Sequence, residues 1–367
     1  MSIPRTVPGS SPTPAPTTSS RRSMIRGGGL AMAGLVGVTG AAAVDPAPAS
    51  AAAVGPWEYV APGGSIQAAI NAGATAIQLG AGRYTIAAPI VPTRGCMLRG
   101  VGRLTEIVAS STMTAMIEIG QGRATDGVYV GDLVLDCQQR ASTGIDVHIV
   151  GTDGNYKGEP DSMCRLDNMW IYNPVRDGVA YRGTDTQATV SSRLRVRGAG
   201  QYGFMIDAPD NWWHACEATT RDSTGANAGF YVGANAANNF FQVCKSWYTR
   251  GYGWHVRANR NKFVGCEAQD TRLHGWYVEW DRNTFVGCVA DTAAMYDVQG
   301  TADTADGFYV VDGAATSMVG CQAFDRKPGG RAAQQRYGFN VPATMVSGGR
   351  LVAATGWDNT TGLIRQR

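Results

Sequence analysis

Residues 253–288 read GWHVRANRNKFVGCEAQDTRLHGWYVEWDRNTFVGC, and the stretch says one thing twice. Asn261-x-Phe263-x-x-Cys266 returns as Asn283-x-Phe285-x-x-Cys288, 22 residues on. Gly253-Trp254-His255-Val256 returns as Gly275-Trp276-Tyr277-Val278 with the same step. Small and apolar residues recur, while the polar ones between them change. Working outward, related units begin at Gly144, Gly178, Gly203, Gly229, Gly307 and Gly338. A minimum period near 22 with variable insertions fits one turn of a solenoid. Each unit alternates apolar and polar residues, as a strand with one buried face does, and none carries a helical pattern. A second column, Asn211, Asn239, Asn261 and Asn283, runs five residues ahead of Cys216, Cys244, Cys266 and Cys288. Stacked at about 4.8 Å per rung, the Asn side chains are expected to form a hydrogen-bonded ladder at a turn, and the Cys a thin apolar one.

The chain has 367 residues, 48 of them Gly, with 44% hydrophobic and 17% charged residues, which allows a large core and excludes a disordered tail protein. Residues 1–53 differ in kind. A Ser/Thr/Pro-rich start leads to Ser20-Arg21-Arg22-Ser23, a Gly/Ala/Leu/Val stretch to Val44, and a Pro/Ala segment with small-x-small sites between positions 49 and 53. This reads as a twin-arginine export signal and linker, with the mature protein secreted. The stretch is too Gly-rich for a membrane span. Taking Arg5, Arg21, Arg22, Arg26 and Asp45 away from 32 basic and 29 acidic residues leaves 28 of each. Nothing in that balance points to nucleic acid, or to a membrane once the signal is removed. The expected organisation is signal and linker at 1–53, a solenoid at 54–350 and a C-terminal cap or tail at 351–367. The eight Cys are expected as free buried thiols, since twin-arginine export carries proteins folded in a reducing compartment.

The chain from about 58 to 350 resembles the right-handed parallel β-helix proteins of the pectate-lyase-like superfamily. Ser65-Ile-Gln-Ala-Ala-Ile-Asn looks like their short N-terminal capping helix, with Ser65 as N-cap, and Gly80-Ala-Gly-Arg-Tyr84 like the turn that follows their first strand. The resemblance implies an all-β, single-stranded parallel β-helix and activity on carbohydrate. Its subfamily marks are mixed. His274-Gly275 matches a pair in polygalacturonase-like members, whereas their Asp-Asp pair and Arg-x-Lys are missing, as are an Asp-Pro-His-Asp motif and a clustered Asp set for calcium. No cofactor or metal is expected.

In a strand reading Gly-Trp-Tyr-Val-Glu, Trp and Val point in, so Tyr277 and Glu279 point out. The same reading puts Asp146, Tyr231, His255 and Tyr309 in one outward column, and His148, Arg182, Asp207 and Arg257 in the next. Tyr202, Tyr252, His274 and Asp306 stand just before the Gly of their units. His255, Arg257, His274, Tyr277, Glu279 and Asp207 are therefore the candidate catalytic residues, with Tyr231, Tyr309, Arg182 and Asp306 as candidate substrate contacts. Aromatic faces beside titratable groups suit a sugar chain, and the same stacking also stabilises a sheet. A further face with Glu217, Lys245 and Glu267 has acids two rungs apart and also fits a solvated ion-pair surface. The expected function is cleavage of a polysaccharide or oligosaccharide, lyase-type by elimination or intramolecular transfer. His255 or His274 would be the base, Arg257 the charge neutraliser and Tyr277 the acid. The alternatives are a glycoside hydrolase pairing Glu279 with Asp207 or Asp306, and a non-catalytic glycan-binding surface protein. Proteins of this shape often associate in threes, so a homotrimer is a possible assembly.

Overall fold

The computed structural model describes residues 57–151, 162–221 and 227–367. The export-signal reading of residues 1–53 lies outside these. The described chain winds into a parallel β-helix. Every strand pairing is parallel, and each coil contributes short strands to three walls. In the repeat that opens the sequence these are Tyr252–Val256, Lys262–Val264 and Glu267–Thr271. The next coil supplies Trp276–Val278, Thr284–Val286 and Val289–Ala293. Register matches the sequence repeat: Trp254 pairs with Trp276, Phe263 with Phe285 and Ala268 with Ala290. The first wall is a ten-stranded sheet from Met113–Ile119 to Gly362–Gln366.

The inward residues stack. Phe204, Phe230, Trp254, Trp276, Phe308 and Phe339 lie ring upon ring, with successive centroids 4.5, 3.9, 4.7, 5.6 and 5.0 Å apart. Trp213, Phe241, Phe263 and Phe285 form a second stack that meets the first edge to face. Both arrangements are favoured by the ring quadrupole. All eight thiols are buried and free.

The asparagine column is a ladder. The Asn211 N–H donates to Asn239 Oδ1 (3.0 Å), Asn239 N–H to Asn261 Oδ1 (2.9 Å) and Asn261 N–H to Asn283 Oδ1 (3.0 Å). Thr189 and Thr316 close the two ends. Each side chain thus satisfies a buried backbone donor of the coil before it, which explains why the residue recurs. Replacing Asn261 by Ala should lower stability by about 1–3 kcal/mol, because the Asn239 N–H is left buried and unpaired. Chemical denaturation checks this, and an unchanged midpoint would mean that the ladder carries no stability. The turn just before Cys266, Cys288 and Cys321 is left-handed, with φ of +60°, +59° and +63° at Gly265, Gly287 and Gly320. Ala215 and Val243 hold the same backbone at +51° and +47°. For a β-branched residue such as Val243 this conformation is strained.

At the N-terminal end the helix Ile66–Asn71 buries Ile66 and Ile70, and its Ser65 hydroxyl accepts from the Ala68 N–H at 3.1 Å. The strand Gly82–Ile86 follows, its Tyr84 hydroxyl donating to the Val60 carbonyl at 2.7 Å. Beyond position 350 the coil goes on. Leu351–Val352 pairs with Ser317–Val319, and Gly362–Gln366 adds a strand to Tyr337–Val341, so residues 351–367 extend the solenoid past the expected boundary at 350. No helix of the described residues is long and apolar enough to cross a membrane.

Candidate functional site

The outward face of the first wall holds the candidate residues in the expected columns. Paired positions run Glu118, Asp146, Ala180, Met205, Tyr231, His255, Tyr277, Tyr309 and Asn340. Five of the candidates meet around one carboxylate or its neighbours. Glu279 accepts from His255 Nε2 at 2.7 Å and from Arg257 Nε at 3.1 Å, and Arg257 Nη1 donates to the Tyr231 hydroxyl at 3.2 Å. The Tyr277 ring lies 5.1 Å from the His255 ring.

The bond to Glu279 assigns the His255 tautomer: Nε2 carries the proton and Nδ1 the lone pair. Burial lowers the His255 pKa against the opposing pull of Glu279, so the ring is neutral near pH 7. Only 7% of His255 is exposed, between Tyr231, Tyr252 and Tyr277, and Nδ1 is buried without a partner. The pair therefore meets solvent through Glu279, whose side chain is 26% exposed. His255 and Arg257 are thus both tied to the one carboxylate of Glu279.

His274 behaves differently. Its Nδ1 accepts the Asp306 backbone N–H at 2.9 Å, so the lone pair a base would use is occupied and Nε2 is left as a donor. Burial pushes its pKa down to about 4, with Arg336 acting in the same direction and Asp306 against it. The ring stacks on Tyr309 at 4.7 Å and on Tyr277 at 5.8 Å. This corrects the expectation that His274 could take a proton. Asp306 is fully buried and receives both Arg336 nitrogens at 2.9 Å, Asn340 Nδ2 at 2.9 Å and the Tyr337 N–H. It braces the wall beneath His274 and touches no solvent, so it is not a substrate contact.

Two other candidates stand apart. Asp207 binds Asn235 through both oxygens and lies three rungs from Glu279, about 14 Å at the usual strand spacing. That separation, and the burial of Asp306, remove both partners named for a hydrolytic acid/base pair with Glu279. Arg182 lies further along the wall beside Asp146 and Asp177, at 3.5 and 3.8 Å. On the other face, Glu217 is held by Arg195 and Arg197 and Lys245 by Glu267, which makes it an ion-pair surface.

Sequence reasoning missed two features. Tyr252, read as standing just before its Gly but not named as a site residue, stacks on Tyr277 at 4.9 Å and packs against His255. Arg367 lies 4.5 Å over the Tyr309 ring and donates to its hydroxyl at 3.1 Å, a contact across 58 residues that no local pattern announces. Among the described residues no group of three or more His, Cys, Asp or Glu is placed to hold a metal ion. Burial raises the Tyr277 pKa, so its phenol stays protonated at neutral pH.

No family model and no curated protein matches this chain. Solved structures do. The A-module of the Azotobacter vinelandii mannuronan C-5 epimerase AlgE6 superposes with a TM-score of 0.55 at 14% identity, over 82% of this chain and 93% of that one. The enzymatically active domain of tailspike protein 2 from bacteriophage CBA120 gives 0.54 at 14% identity, over 71% of this chain. The shared fold is the parallel β-helix. This chain spans 39% of that tailspike chain. Identity this low speaks for the scaffold alone.

Proposed function

We propose that the protein is a secreted carbohydrate-active enzyme that cleaves a polysaccharide or oligosaccharide by a lyase-type reaction. The observation that carries this is the solvent-facing Glu279 carboxylate, shared by His255 and Arg257 and edged by a protonated Tyr277. Elimination needs three groups in reach of one sugar ring, and the wall offers a candidate for each. The His255–Glu279 pair takes the ring proton as a unit, with Glu279 the member that meets the substrate. Arg257, 44% exposed at its side chain, neutralises the charge that develops next to the reacting carbon. Tyr277 protonates the leaving oxygen, and Tyr231 and Tyr309 supply stacking faces on either side. The same groups would serve an intramolecular transfer, in which Glu279 takes the proton of a substrate hydroxyl, that oxygen bonds the anomeric carbon, and the glycosidic oxygen leaves with the Tyr277 proton. The export expected from the Arg21-Arg22 stretch would fit this reading, since a polymer is met outside the cell. The mannuronan epimerase and the tailspike domain lend the scaffold precedent and no residue assignment.

The test is ultraviolet absorbance of a new carbon–carbon double bond during incubation with uronate and neutral polysaccharides. A rise on one uronate is the expected result. New oligosaccharides without that absorbance would move the reaction to transfer or hydrolysis. Binding with no product of either kind on any bound polymer would leave a glycan-binding surface protein.

A further inference from the structure

The repeat is broken at one position beside Glu279. Three residues before each ladder asparagine the coils place Ala208, Ala236, Ala258 and then Trp280. The three alanines are buried where the coil turns from the first wall into the second. Trp280 is 51% exposed. A close-packed interior that a methyl group fills has no room for an indole, so the side chain is turned out to solvent. Its backbone is held as theirs is: Asn283 Nδ2 donates to the Trp280 carbonyl at 3.0 Å, as Asn239 Nδ2 does to that of Ala236 at 2.9 Å. The indole therefore stands on the asparagine ladder.

Most tryptophans of the chain lie in the interior stacks or carry an arginine or a phenyl ring on one face. Among the described residues Trp212 and Trp280 have neither. Trp212 stands on the second wall between Val190 and Phe240. Trp280 follows the solvent-facing carboxylate of the candidate site directly. A large bare ring adds little to a fold, and its natural use is contact with something from outside.

Its place on the strand says with what. Tyr277 precedes Glu279 by two residues, about 7 Å, and Trp280 lies on the other side of Glu279. With Tyr277 giving its proton to the leaving oxygen, the ring that loses a proton to Glu279 extends away from Tyr277 and toward Trp280. Carbon–hydrogen bonds polarised by the oxygens of a sugar ring meet the negative face of an indole favourably. Val311, exposed on the next rung, continues the apolar surface.

We infer that Trp280 is a substrate-contacting residue whose indole receives the C–H face of the sugar that keeps the new double bond. The choice of ring rests on the elimination reading, and the contact itself on the bare indole beside Glu279. It calls for a uronate ring with one face free of hydroxyl groups.

The experiment is steady-state kinetics of the full chain and of Trp280→Ala and Trp280→Phe on polygalacturonate, polymannuronate and polyguluronate, followed by the absorbance of the double bond. On the polymer that is cleaved, Trp280→Ala should raise KM about tenfold and leave kcat within about twofold, as expected for losing apolar contact with one face of a half-exposed indole. Trp280→Phe should recover part of the loss. The unsaturated trisaccharide product carries the ring in question, so it should inhibit Trp280→Ala about tenfold less well than the unaltered protein. The melting temperature should not move, which separates the effect from misfolding. An unchanged KM in Trp280→Ala would overturn the inference, and so would unchanged inhibition by the unsaturated trisaccharide. If none of the three polymers gives the absorbance, the choice of ring falls with the elimination reading. Failure of the catalytic scheme alone reads differently: Glu279→Gln would stay fully active, whatever Trp280→Ala does.

Discussion

His255→Gln and Glu279→Gln should each lower kcat by about 10²–10⁴-fold on the polymer that the protein cleaves, the usual worth of a positioned proton-transfer group. The two losses should not add, because the residues act as one unit through the 2.7 Å bond between them. Gln is chosen over Ala at 255 because the ring is buried among three tyrosines and a cavity would confuse the reading. The pH profile carries a second signature. Burial lowers the His255 pKa, so the neutral, active form persists below the ordinary histidine value of about 6.5, and the acid limb of kcat/KM should lie beneath it. Raising the pH through neutrality should cost nothing on this account. Steady-state kinetics on folded variants decides the matter: full activity in Glu279→Gln would remove the wall from the catalytic scheme. His274→Gln is the contrasting variant. Its ring nitrogen already accepts a backbone N–H, so its loss should disturb the Tyr309 stack and raise KM more than it lowers kcat.

Trp276→Ala should cost about 3–5 kcal/mol, the range for removing a large buried aromatic side chain. Trp276 is fully buried, stacks between Trp254 and Phe308, and meets Phe263 and Phe285 edge on. Its indole N–H donates to the Val289 carbonyl at 3.0 Å, tying the first wall to the third across the interior. In a solenoid each coil is held only by its neighbours, so a hole in one coil weakens two interfaces. Thermal denaturation should show a fall of roughly 5 °C or more. Trp276→Phe should recover most of it, keeping the stack and losing the hydrogen bond. Trp280, four residues on and half exposed, is the control, with an expected change within about 0.5 kcal/mol. A Trp280→Ala loss equal to that of Trp276→Ala would mean that the interior stack is not what holds the coils.

Much of the architecture was legible because a solenoid repeats its environment. A position that faces inward in one coil faces inward in the next, so Trp254 and Trp276, Phe263 and Phe285, or Cys266 and Cys288 betray their burial by recurrence. The same holds for Asn261 and Asn283, whose side chains serve the coil before them. Alternation along the strand then put Tyr231, His255, Tyr277 and Tyr309 in one outward column, and the strand register agrees. Strand period and stacking are local rules, and local rules can be read from one chain.

What recurrence could not supply was depth, proton position and contact across the coil. His255 and His274 look alike in sequence, yet one gives its proton to a carboxylate and the other accepts a backbone N–H. Asp306 and Glu279 are both single acids near the wall; one lies beneath the surface in the grip of Arg336 and the other at the surface. Arg336 and Asn340 reach Asp306 from 30 and 34 residues away, and Arg367 reaches Tyr309 from 58. Asp146, Asp177 and Arg182 likewise become neighbours only once two coils are laid together. The sequence by itself determined the coil, its inward stack and the columns on its face, because these follow from periodicity. Only the tertiary structure decided which polar groups are buried, which are paired and which are left able to react. Hydrogen bonding and desolvation depend on the atoms that arrive from neighbouring coils, and no repeat records them.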